Sequence, residues 1–250
     1  HLQRRVDRNL FAPTITSTGL PVFPSARPNP TIAALDVNES TARSEYDALV
    51  FTANGRSGTR VQWEMSYTFA RNWDDDSNER SISRQMTLNS FDLDSEWAPS
   101  KNDVRHSFVG SAVADLPAGL TLSTVLITRS GVPYTAVIGS DQQRDGNDNN
   151  DRAIINGRMV GRNTFRQPSF FNLDVRLART FRVNGLPELQ LLVDLLNATR
   201  ASNKNLANDG VSVYGTPEEP VATAGQMLYA PSTARFGGPR QLQLGIKVLF

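Results

Sequence analysis

In Val61-Gln62-Trp63-Glu64-Met65-Ser66-Tyr67-Thr68-Phe69 every odd position is apolar and every even position is polar. A helix returns to one face every three to four residues, so this period of two leaves only an extended strand with one apolar and one polar side. The pattern recurs. Phe171, Leu173, Val175 and Leu177 alternate with Asn172, Asp174 and Arg176, and Leu242, Leu244, Ile246, Val248 and Phe250 alternate with Gln241, Gln243, Gly245 and Lys247. Weaker alternation predicts further strands near 46–54, 104–115, 120–130 and 188–198. Prolines, five of them between Pro13 and Pro30, avoid the clean stretches, where a missing N–H would break a ladder.

The connections between these strands alternate in length. They run short (Asn54–Gly58), long (Asp74–Asn102), short (Pro117–Gly119), long (Val132–Gln167), short (Val183–Pro187) and long (Arg200–Ala234), with a further long segment, Ala12–Glu45, before the first. All short turns then fall at one end of the sheet and all long loops at the other. An outer-membrane barrel sorts its periplasmic turns and extracellular loops in this way, whereas compact soluble domains rarely hold structureless loops of about 30 residues. Trp63 and Trp73 lie ten residues apart on one face, as do Phe171 and Phe181. At a tilt near 40° ten residues rise roughly 25 Å, the height of the lipid-facing band between two aromatic girdles.

Composition is compatible with this and excludes other classes. A mean hydropathy of −0.37 is that of a mildly hydrophilic chain, which a barrel reaches by averaging its lipid and lumen faces. No stretch approaches the ~20 apolar residues of a membrane helix. With 26 basic against 25 acidic residues there is no field to attract nucleic acid. The absence of cysteine excludes disulfides and thiol chemistry, and two histidines, His1 and His106, cannot build a multi-histidine metal centre. The start at His1, without a methionine or a targeting segment, fits a processed chain or the C-terminal piece of a longer one.

The terminal residues Gln243-Leu244-Gly245-Ile246-Lys247-Val248-Leu249-Phe250 place a polar residue, a glycine and spaced hydrophobics before a final aromatic. This resembles the C-terminal signal read by the outer-membrane barrel assembly machinery, with Gln243, Gly245, Val248 and Phe250 at its positions. A broader resemblance runs from about Tyr46 to the end. Ser44-Glu45-Tyr46-Asp47-Ala48-Leu49, Asp103-Val104-Arg105-His106-Ser107-Phe108-Val109-Gly110, Asp115-Leu116-Pro117 and Ser130-Gly131-Val132-Pro133-Tyr134-Thr135 are its first pieces. Asn150-Asp151-Arg152, Gly161-Arg162-Asn163, Leu195-Leu196-Asn197 and Phe236-Gly237-Gly238-Pro239-Arg240-Gln241 follow. In this order and spacing they resemble TonB-dependent transporters of the Oar-like type. The resemblance implies a plugged barrel of about 22 strands, of which residues 1–250 would supply about the last eight, with His1–Arg8 as the tail of one strand. Its plug, N-terminal domains and TonB-engaging segment would lie outside these residues, so no coupling residue is carried over.

Chemistry is sparse. No nucleophile motif, phosphate-cradling loop or dinucleotide fingerprint is present, and His106 reads as a girdle or lumen side chain. No enzyme activity and no cofactor are expected. The run Asp74-Asp75-Asp76 reads as a solvated loop. In Asp141–Asp151 the alternate oxygen side chains Asp145, Asn147, Asn149 and Asp151 follow calcium-loop spacing, yet Gly146 is misplaced and the bidentate glutamate is missing, which leaves a solvated extracellular loop as the plainer reading. Gln62, Glu64, Ser66, Thr68, Asn172, Asp174, Arg176, Gln241, Gln243 and Lys247 are expected to face the lumen, and Tyr134, Phe165 and Tyr214 to offer loop contacts for a ligand.

The expected fold is therefore all-β, an antiparallel transmembrane barrel segment in the bacterial outer membrane. Expected partners are membrane lipid, the rest of its own barrel and plug, the TonB system and the assembly machinery, with no nucleic acid. Two other readings stand beside this one: a self-contained eight-stranded barrel acting as adhesin or anchor, which requires the first strand to close on the last, and a secreted carbohydrate-binding β-sandwich, which requires the odd-numbered side chains of Val61–Phe69 to be buried under a second sheet.

Overall fold

Seven long strands form one continuous antiparallel sheet: β1 (Ser44–Ser57), β2 (Val61–Asp74), β3 (His106–Leu116), β4 (Leu120–Arg129), β5 (Phe170–Phe181), β6 (Glu188–Leu196) and β7 (Gln241–Leu249). Each pairs with its neighbours in chain order, from β1 at one edge to β7 at the other, and the short strand Ala98–Pro99 adds to the end of β2. A computed structural model describes residues 2–76, 87–182, 187–206, 211–222, 224, 228–229 and 238–249. Phe250 and most of the predicted turn Val183–Pro187 lie outside the described residues.

The ladders fix which residues share a face. Trp63, Met65, Tyr67 and Phe69 of β2 stand opposite Gly55, Ala53, Phe51 and Leu49 of β1 and opposite Ala112, Gly110, Phe108 and His106 of β3. Continuing across the sheet, Leu126, Leu173 and Leu122, Leu177, Val193, Leu244 form rows on that same face. The result is a continuous apolar surface, and it is uncovered: Trp63, Met65, Phe69, Phe171, Leu177, Val193 and Ile246 are all exposed, the last to 73%. No second sheet packs on it among the described residues, so the sandwich reading fails. The sheet order does not return β7 to β1 either, so closure into a small barrel is not seen.

Two boundaries differ from expectation. The first turn lies at 58–60 rather than Asn54–Gly58, because β1 continues through Gly55, Arg56 and Ser57, paired with Trp63, Gln62 and Val61. The Trp63 indole lies flat over Gly55, where a Cβ would come within 2.7 Å of it, so an aromatic covers the strand glycine and preserves the ladder. The tail Leu2–Asp7 does not join the sheet. It pairs antiparallel with Asp36–Ala42, which runs through Arg43 into β1, and makes a separate two-stranded ladder at the loop end. The second turn, Pro117–Gly119, is a tight 3-10 turn with Ala118 and Gly119 in the left-handed region.

The long connections are folded rather than structureless. Pro133–Val137 pairs with Phe165–Arg166 and, in parallel, with Val211–Val213, drawing two loops into one small sheet. Buried apolar residues are concentrated there: Tyr134, Ala136, Val137, Ile138 and Ala153 are all at most 5% exposed. The chain's packed core therefore sits in its loop cap, while the main sheet keeps both faces open.

Candidate functional site

The candidate site is the wall's inner face together with the loop cap at its mouth. On the inner face stand Gln62, Glu64, Asn172, Asp174, Arg176 and Lys247, as alternation requires, since each is one residue out of phase with the apolar face. Arg176 on β5 is directly opposite Asp194 on β6, and its guanidinium donates both Nε and Nη2 to that carboxylate at 2.6 and 2.8 Å. Ser111 Oγ donates to Glu64 at 3.2 Å, and Asp174 accepts the backbone N–H of Asn197 at 2.8 Å. Asn54, Arg56, Gln62, Glu64 and Ser111 line one groove of this face. Asn172 is 1% exposed, and its amide has no hydrogen-bond partner among the described residues.

On the outer face the four predicted girdle aromatics divide between the two ends. Trp63 and Phe181 lie toward the turns, Phe171 and Trp73 toward the loops. Trp73 is less open than expected, because Trp97 from the following loop lies against it with ring centroids 6.0 Å apart. Arg71 and Arg43 sit over these two indoles at 4.6 and 5.3 Å. His106 belongs to this outer aromatic band. The Tyr67 hydroxyl lies 2.8 Å from His106 Nδ1, and the imidazole packs on Tyr67 and Phe69.

The loop cap holds what the sequence concealed. Asp74 and Asp75 are buried, not solvated, because arginines from distant segments neutralise them. Arg162 Nη2 bonds Asp74 at 2.6 Å, and Asp75 accepts from Arg4 at 2.5 Å and from Arg43 Nε at 3.0 Å. Glu96, 3% exposed, takes Arg152 at 2.5 Å and the backbone N–H of Leu88 at 2.9 Å. Asp103, wholly buried, accepts from Asn72 N at 2.8 Å and pairs with Arg166 and Arg105. Asn163 donates from Nδ2 to Pro99 O at 2.8 Å, and its Oδ1 accepts from the Thr135 hydroxyl at 3.0 Å. Buried carboxylates are tolerated only when paired and hydrogen-bonded, so these contacts clamp the segments 94–105 and 152–166 to the strand ends. The only signal in the sequence was the recurrence of Arg and Asp in the short motifs around Arg152, Arg162 and Asp103.

Tyr134, Phe165 and Tyr214, which sequence reasoning named as separate loop aromatics, come together. Their rings stack in series at 5.6 and 6.1 Å, and burial together with a hydrogen bond to Tyr214 pushes the Tyr134 phenol up to about 12. With Tyr134 only 5% exposed, the stack is as much loop core as contact surface. The Asp141–Asp151 loop is solvated only in part: Asp141, Gln142, Arg144, Gly146 and Asp148 are exposed. Gln143 and Asp151 are fully buried, and Asn150 is 5% exposed. Asp151 accepts the backbone N–H groups of Gln142 and Gln143, while Asn147 Oδ1 accepts that of Asn149, so the alternate oxygens do not converge as the spacing implied. No three carboxylates or imidazoles among the described residues come together as a metal centre.

A long-stranded sheet with an uncovered apolar face, a polar inner face and turns and loops sorted to opposite ends is the wall of a lipid-embedded barrel. A family model described as an outer membrane beta barrel domain matches residues 1–160, more than half of the chain. The chain belongs to that family. The outer membrane barrel domain accordingly resides in the bacterial outer membrane, with its apolar face against lipid. No curated protein matches the sequence. Beyond residue 160, β5, β6 and β7 continue the barrel domain's sheet with the same two faces and no break in register.

Proposed function

We propose that this barrel domain forms wall, extracellular cap and assembly signal of a TonB-dependent transporter of the Oar-like type, taking up a scarce or bulky ligand. The single observation that carries the reading is the sheet itself: seven spanning strands with a polar inner face and, among the described residues, a free edge on both β1 and β7. An unpaired edge in hydrocarbon is costly for every backbone group on it, so further strands must complete the wall. A wall that wide encloses a lumen that side chains alone cannot fill. In this reading Gln62, Glu64, Asp174, Arg176 and Lys247 face a plug, while Asn172 on the same face is already buried within the wall. Gln243, Gly245, Val248 and Phe250 guide insertion by the barrel assembly machinery, with β7 presenting the edge to which a strand is added. Energy arrives through TonB contacts made elsewhere in the polypeptide, and the wall performs no covalent chemistry.

The test is the intact mass and N-terminal sequence of the polypeptide extracted from outer membranes. A chain several times longer, with sequence upstream of His1, is expected. A mature protein that starts near His1 overturns the transporter reading.

A further inference from the structure

Within the cap, the segment Asp141–Asp151 carries a conflict that protein groups alone leave unresolved. Gln143 donates from Nε2 to Asp145 Oδ2 at 2.9 Å, and Asn150 donates from Nδ2 to the same oxygen at 2.7 Å. The carboxylate is satisfied by both carboxamides, but their oxygens are not. Gln143 Oε1 and Asn150 Oδ1 are buried with no hydrogen-bond partner among the described residues, on side chains 0% and 5% exposed. A buried acceptor without a donor is costly. Turning either carboxamide over gives no relief, because its oxygen would then face the carboxylate. A hard cation seated between them removes the conflict, since carboxamide and carboxylate oxygens are its natural ligands.

The surroundings are anionic. Gln143 also touches Asp151, whose Oδ1 accepts the Gln143 backbone N–H at 3.2 Å, so one residue bridges a half-buried and a buried carboxylate. Asp141 and Asp7 add negative charge to Asp145. The guanidinium of Arg27 is turned to the backbone carbonyls of Arg144 and Asp145 at 3.3 and 3.0 Å and pairs with neither carboxylate.

We propose that Gln143 Oε1, Asn150 Oδ1 and the Asp145 carboxylate, with Asp151 as the second negative charge, form a calcium site that holds this loop in its folded form. The ligand set is not the alternate spacing of Asp145, Asn147, Asn149 and Asp151: Asn147 and Asn149 are only half-buried, and the buried free atom of Asn147 is its Nδ2, a donor. Calcium suits the site better than magnesium, because an irregular set of loop oxygens satisfies calcium's flexible coordination and not magnesium's rigid octahedron. The inference rests on the loop and not on the transporter reading.

The full-length protein, exchanged into detergent free of lipopolysaccharide and stripped with chelator, is titrated with calcium chloride in a calorimeter. One saturable equivalent is expected, together with at least tenfold slower proteolysis within 141–151 when calcium is present. Gln143→Met, which keeps the buried volume but removes the oxygen, and Asn150→Ala are each expected to weaken binding at least tenfold. No saturable binding, binding without loop protection, or binding unchanged in both variants overturns the proposal. Should the variants fail to fold the loop, the protection measured on the unmodified protein decides alone.

Discussion

Replacing Leu177 with arginine tests which face of the sheet meets lipid. Leu177 lies on β5 between Leu122 of β4 and Val193 of β6, all three on the apolar face. It is six residues from Phe171 and four from Phe181. At the strand rise and tilt of a membrane barrel these offsets place it about 15 Å from one aromatic girdle and about 10 Å from the other, near the middle of the hydrocarbon. Arginine at that depth costs about 2–4 kcal/mol. Arg176, the adjacent residue, points the other way, and its ion pair with Asp194 has a half-exposed guanidinium. Replacing Arg176 with leucine therefore costs at most about 1 kcal/mol. The assay is reversible urea unfolding of the full-length protein in thin-bilayer vesicles, followed by tryptophan fluorescence. Near-neutral behaviour of Leu177→Arg, or an equal or larger loss for Arg176→Leu, would refute the assignment of faces. A one-residue slip of register exchanges the two results, which makes the pair sensitive to alignment as well as to environment.

Arg162→Ala removes the cation from buried Asp74 and the donor to the Glu96 backbone carbonyl, while Arg152 still pairs with the Glu96 carboxylate, and is expected to destabilise the cap locally by about 3–5 kcal/mol. Hydrogen exchange should quicken in 94–104 and 131–166 while the β3–β5 amides stay protected, and unchanged loop exchange would contradict the clamp. The Asp151 carboxyl, raised to about 7 by burial and by Asp145 and Asp141, gives a pH dependence of unusual sign. Because the folded loop holds the proton more tightly than the unfolded chain does, its contribution to loop stability is full below about pH 4 and is lost as pH rises to about 7. In calcium-free buffer, loop protection corrected for intrinsic exchange should fall across that window and become flat in Asp151→Asn. Protection that rises with pH would count against it.

Much of the wall was legible in the residues. Alternation in Val61–Phe69, Phe171–Leu177 and Leu242–Val248 depends only on the geometry of an extended backbone, so both the strand identity and the facing of Glu64, Arg176 and Lys247 followed from local pattern. The sorted connection lengths added the common end of the turns. Where β1 ended was less legible, because Asn54-Gly55 has the composition of a turn. It becomes strand only when Trp63, eight residues on, covers the glycine.

The cap was not legible, and the reason is electrostatic. Asp74, Asp75, Glu96, Asp103 and Asp151 look like solvated loop residues, since a carboxylate's burial depends on a partner that sequence distance hides. Arg162 meets Asp74 across 88 positions, and Arg4 meets Asp75 across 71. The same limit applied to the oxygen-rich loop, where spacing pointed to Asn147 and Asn149 but packing selected Gln143 and Asn150. The sequence by itself determined a lipid-facing β wall, because period-two patterning is a property of neighbouring residues. Only the tertiary structure decided how the long loops close over it, because a buried charge is stabilised by groups that the fold alone brings within hydrogen-bond reach.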